Sequence, residues 1–136
     1  MPVRHNILTD ATSRDAFIQG VLLLNREMSN VTTSGLGIQG PNTQLSTWDL
    51  FVLWHYYTMN TPTPAGASRN AAHMGPVFLP WHRWFLLLLE QQLQRVLNDA
   101  NFGLPYWDWA ADGGQPAAQQ LHHPGGRERA RAAPSA

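Results

Sequence analysis

Between Ser13 and Met28 the apolar residues Phe17, Val21, Leu24 and Met28 recur three or four positions apart. That spacing places them on one helical face, and Thr12 or Ser13 offers an N-cap with Asp15 in the first turn. Residues 30–44 break the pattern with glycine, proline and small polar residues and read as loop. "TWDLFVLWHYYTM" resumes helical spacing from Ser46 or Thr47, with Trp48, Phe51 or Val52, His55 and Met59 as its stripe. "NTPTPAGASRNAA" is a second loop. A third helix is predicted from Trp81, with Pro80 at or just before its first turn, where a missing N–H costs nothing. Its apolar face is Phe85, Leu86, Leu89, Leu93, Val96 and Leu97, and Gly103 is the expected stop.

These elements predict an all-α fold, a helical bundle with long loops and no internal repeats. After "LPYWDWAADGG" the character changes. "LHHPGGRERARAAPSA" holds no aromatic residue and one leucine, too little apolar surface for a core. The expected organisation is one domain over residues 1–120 and a disordered, non-native tail over 121–136.

Composition narrows the chemistry. Nine basic and nine acidic residues cancel, so no strong field recommends nucleic acid or an anionic membrane. Without cysteine there are no disulfides, thiolate metal sites or cysteine nucleophiles. No apolar run is long enough for a membrane span, and the first residues lack the basic start and apolar run of a signal peptide. Localisation is left open between the cytoplasm and export with a partner. Of six tryptophans, five fall between Trp48 and Trp107, which predicts an aromatic core in the middle of the chain.

The histidines carry the sharper signal. His55 lies on the stripe of the second helix, and His82 shares a face with Leu86, Leu89 and Leu93 of the third. A buried imidazole needs a partner for each ring nitrogen, at about 1–3 kcal/mol if one is missing. Backbone carbonyls could serve, and so could a metal ion shared by facing helices. Were residues 73–82 one helix, His73 and His82 would stand about 13 Å apart along its axis. Gly75, Pro76 and Pro80 forbid that helix, so the loop can fold back and bring His73 to His82. Three neutral imidazoles without thiolate or carboxylate suit copper or zinc, and the spacing leaves the two nearly even.

The run "MGPVFLPWHRWFLLLLE", with "HYYT" before it and "GLPYWDW" after it, closely resembles the first copper-binding half of the tyrosinase family. These are dicopper proteins that include tyrosinases, catechol and o-aminophenol oxidases and molluscan haemocyanins. The match covers most of residues 3–112, with seventeen residues between His55 and His73 and eight between His73 and His82. The resemblance implies that His55, His73 and His82 bind the first copper. The implied activity is o-hydroxylation of monophenols, or oxidation of o-diphenols or o-aminophenols to quinones, with O2 and phenolic small molecules as partners. It further implies that Arg83 anchors an ion pair to an acid in the other copper half.

The remaining site-adjacent residues read as support. Asp108 is expected to accept structural hydrogen bonds, and Trp81, Trp84, Trp107 and Trp109 to pack in the core. Glu90 is expected to be structural, and His5 a bystander near a frayed end.

A family member needs a second copper with three more histidines. After His82 the sequence offers only the adjacent His122 and His123, which on a helix point about 100° apart. The chain is therefore expected to be an incomplete half, ended by truncation or a shifted frame, and inactive by itself. A non-enzymatic single-copper protein, and a homodimer that rebuilds a dicopper site, are the rival readings.

Overall fold

The computed structural model describes residues 2–70, 72, 73 and 75–112. The expected tail over 121–136, including His122 and His123, lies outside the described residues.

The first helix, α1, spans Ala11–Arg26. It opens earlier than its apolar spacing predicts because Asp10, not Thr12 or Ser13, is the N-cap. Its carboxylate accepts the Ser13 N–H at 2.7 Å, which satisfies one of the orphan donors of the first turn. Capping also holds the Asp10 carboxyl below its usual range, chiefly through that backbone bond. The helix stops before Met28, which belongs to a strand. The expected loop is a hairpin, β1 (Met28–Thr32) paired antiparallel with β2 (Gln44–Ser46). It adds a two-stranded sheet to a molecule that is otherwise helical as expected.

Ser46 ends β2 and caps α2 (Thr47–Asn60). Its hydroxyl accepts the Asp49 N–H at 3.1 Å, and the Asp49 carboxylate accepts the Ser46 N–H at 2.9 Å. This reciprocal capping box is written in the sequence as S-x-x-D. The third helix, α3, spans Phe78–Leu97, so it begins three residues before Trp81 and takes Pro80 into its first turn. It ends at Asn98 in the left-handed conformation, not at Gly103. A short helix, α4 (Trp109–Asp112), follows.

The core lies where α1 crosses α3. Leu24 and Leu93 are fully buried, with Leu89, Phe102 and Leu104 beside them. Gly20 permits the crossing, since a Cβ there would stand 2.7 Å from a Leu93 methyl carbon. Gly103 serves a similar purpose against the Val3 carbonyl, at 2.6 Å. Along α3 the seven-spaced residues Leu93, Leu86 and Leu79 pass from fully buried to 41% and then 75% exposed. The apolar stripe is covered at its C-terminal end only. No helix among the described residues is long and apolar enough to cross a membrane.

The N-terminal segment is pinned rather than frayed. Ile7 donates to the Tyr106 carbonyl at 2.8 Å, and Tyr106 donates to the His5 carbonyl at 2.9 Å. Glu90, buried on α3, accepts from the Leu104 N–H at 2.8 Å and pairs with Arg4 at 3.0 Å. One carboxylate thus ties three segments together, which fulfils the structural role expected of it. A buried acid without such partners would carry a heavy desolvation cost.

Candidate metal centre

His55, His73 and His82 come together. One ring nitrogen from each lies within 4.8 Å of the others, and each residue is half-buried. The ring centroids stand 5.3 Å (His55–His73), 5.7 Å (His55–His82) and 4.9 Å (His73–His82) apart.

Each histidine is delivered by a different device. His55 sits on the face of α2 that carries Phe51 and Trp54, and α3 answers with Trp81 and Phe85. Trp81 and Phe85 are stacked, with centroids 5.2 Å apart and planes 14° from parallel. These rings form an apolar wall behind the histidines. Val52 and Met59, both candidates for the α2 stripe, are exposed instead.

His73 arrives on the loop that leaves α2. Asn70 donates its amide to the Met59 carbonyl at 2.6 Å, folding the loop back onto one of the unpaired carbonyls in the last turn of α2. Its side-chain oxygen accepts from the Ala72 and His73 N–H groups at 3.1 and 2.6 Å. This Asx-type turn aims His73 inward, and Ala72 is fully buried beside it. Asn70 was missed in the sequence reading. Its signal was an asparagine three residues before a histidine in a loop, a common pattern that means little without the fold.

His82 lies one turn into α3, and its Nδ1 meets the Phe78 carbonyl at 2.7 Å. A carbonyl can only accept, so Nδ1 carries the proton and Nε2 keeps its lone pair. The bond that orients the ring therefore also selects the nitrogen free to bind a metal.

Two further features fit the group to a metal. The His73 Nδ1 is buried and has no hydrogen-bond partner among the described residues. Such orphaned atoms are rare enough to need a reason, and an ion supplies one. Burial pushes the His55 pKa down, with the charges of His73 and His82 adding to the shift. A histidine held neutral is the form that ligates. Nitrogen–metal bonds of about 2.0–2.1 Å need the donors somewhat closer together than 4.8 Å, a movement of side-chain scale. The donor set of three imidazoles suits copper or zinc.

The surrounding residues divide. Asp108 accepts the Ala111 N–H at 3.1 Å and so opens α4. Trp81 packs in the aromatic wall. Trp84, Trp107 and Trp109 do not lie in the core, being 55%, 60% and 74% exposed. Trp84 still meets Trp54 edge-on, with ring centroids 5.8 Å apart. Arg83 is exposed and makes no ion pair among the described residues.

Comparison with known proteins places these residues in a wider group. Residues 45–134 match the model for the common central domain of tyrosinase. The tyrosinase of Felis catus is 49% identical over 70 residues, 48% of this chain and 13% of that protein. The tyrosinase of Coturnix japonica is 45% identical over 69 residues, covering 48% of this chain and 25% of the relative. That of Oryzias latipes is 35% identical over 123 residues, 79% of this chain and 23% of its own length. The chain spans a quarter or less of the length of these relatives.

Proposed function

The chain belongs to the tyrosinase family, and from that premise we propose that it is a copper oxidoreductase component acting on phenols with O2. His55, His73 and His82 hold one copper ion, and the described residues supply one half of a dicopper centre. The observation that carries this reading is the convergence of three neutral-competent imidazoles on one point, with an orphaned buried nitrogen among them.

When bound, copper supplies the one-electron exchange that zinc, which is redox-inert, cannot. The chain's own residues do the rest. The Phe78 carbonyl holds the proton on His82 Nδ1 and leaves Nε2 to the metal. Asn70 fixes the backbone of His73. Phe51, Trp54, Trp81 and Phe85 keep water from the back of the site, which strengthens the electrostatic hold on an ion. The substrate class is monophenols, o-diphenols or o-aminophenols, whose flat rings suit an approach among aromatic side chains.

The reading is tested by mixing the Cu(II)-loaded chain with an o-diphenol in the absence of oxygen. Quinone formation removes two electrons and two protons, so two chains are reduced for each quinone formed. The expected result is loss of the Cu(II) electron paramagnetic resonance signal, with half a quinone per copper and none from the zinc-loaded chain. A Cu(II) signal that persists beside excess diphenol would contradict it.

A further inference from the structure

Phe78 lies ahead of the helix start that the sequence predicts, and nothing in its local pattern marks it as a site residue. In the structure it is the first residue of α3, and it touches two of the three histidines. Its ring centroid is 4.3 Å from that of His82, tilted by 41°, and 5.6 Å from that of His73, at 53°. Among the described residues it is the one aromatic side chain outside the trio that contacts both His73 and His82. Its backbone carbonyl also accepts the His82 Nδ1 proton at 2.7 Å. The side chain is 42% exposed, while Trp81 and Phe85 lie against His55.

We propose that Phe78 is a positioning residue for the metal ligands, its carbonyl setting the His82 tautomer and its ring bracing His73 against His82. This rests on the assignment of the three histidines as copper ligands. His73 depends on the brace most, since its backbone lies in a loop and its Nδ1 has no hydrogen-bond partner among the described residues to fix the ring. His82 already has the carbonyl. The ring of Phe78 therefore acts chiefly on how closely His73 is held to its neighbour. Groups that orient metal ligands typically change affinity by about 10–100-fold when removed.

The test compares Phe78→Ala, Phe78→Leu and Phe78→Tyr with the unaltered chain. All three keep the backbone carbonyl, so the comparison isolates the ring. Three readouts are taken: copper affinity by competition with a chelator, the Cu(II) paramagnetic resonance spectrum, and melting of the metal-free protein. Phe78→Ala should lower copper affinity about 10–100-fold and broaden the spectrum, while the metal-free melt changes little because the ring is partly exposed. Phe78→Leu, narrower than a ring, should lose part of that affinity. Phe78→Tyr should match the parent, its hydroxyl reaching solvent.

Parental affinity and spectrum in Phe78→Ala would overturn the proposal. If Phe78→Ala also melts early, Phe78→Leu decides, and parental affinity in a normally folded Phe78→Leu would overturn it. Failure of the underlying assignment looks different, because the unaltered chain would then bind no copper through histidine and the variants would have nothing to lose.

Discussion

The copper-loaded 136-residue chain, assayed alone with an o-diphenol and O2, is expected to turn over at no more than a background rate. A lone copper would have no second metal in the same site to share the reduction of O2, and the described residues hold a single three-histidine group. The exposed apolar end of the α3 stripe, at Leu79 and Leu86, lies on the same half of α3 as His82. A polypeptide that supplies three more histidines and covers those residues should complete the centre. Adding it should raise the rate toward enzymatic acceleration, which begins at roughly 10^6-fold over the uncatalysed reaction. Quinone formation should be followed across a range of protein concentrations with free copper removed. A substantial rate per chain that is independent of concentration would show that one site suffices. A rate per chain that climbs steeply with concentration would favour two copies of this chain facing one another.

Removal of any one of the three proposed ligands should severely weaken metal binding. His55→Ala, His73→Ala and His82→Ala are each expected to weaken copper affinity by more than about 100-fold, beyond the range seen when only an orienting group is lost. Two imidazoles cannot satisfy an ion that the fold presents to three, and the apolar wall of Trp81 and Phe85 has no donor that could replace the third. The metal-free fold should respond differently. The His73 Nδ1 makes no hydrogen bond among the described residues, so His73→Ala removes an unsatisfied buried polar atom along with some packing. Competition with a chelator reads the affinity, and thermal melting without metal reads the fold. Two variants with unchanged affinity would break the ligand assignment.

Much of this site was legible before the fold was known, and the reasons are specific. His55 and His82 recur at helical spacing with apolar neighbours, so their common facing direction was readable. Gly75, Pro76 and Pro80 forbid one continuous helix over 73–82, so the chain could fold back and bring His73 to His82. Helix ends were harder. The first-turn N–H groups have no helical acceptor in any case, so Pro80 fits at several first-turn positions and cannot mark one start. That ambiguity hid Phe78. At the other end Asn98 tolerates the left-handed conformation, so the helix stops before the more obvious glycine.

The departure of α1 before Met28 depends on long-range partners that no local pattern contains. Arg95 of α3 reaches Glu27 with both terminal guanidinium nitrogens, at 2.8 and 2.5 Å, while Thr47 donates to the same carboxylate. Those bonds, led by Arg95, hold the Glu27 carboxyl below its usual range. The exposed tryptophans teach the same lesson from the opposite side. Trp84, Trp107 and Trp109 are apolar enough for a core and yet stay largely exposed, because burial is set by how the chain packs and not by residue type alone.

The central claim is that His55, His73 and His82 bind a single copper together. It is met most directly by counting copper per chain at saturation while pulsed electron paramagnetic resonance resolves the nitrogens coupled to Cu(II). The expected result is one copper per chain with three imidazoles coupled to it, and loss of that signal in His82→Ala. A chain that takes up no copper, or whose copper couples to fewer than three imidazoles and survives His82→Ala, would contradict it.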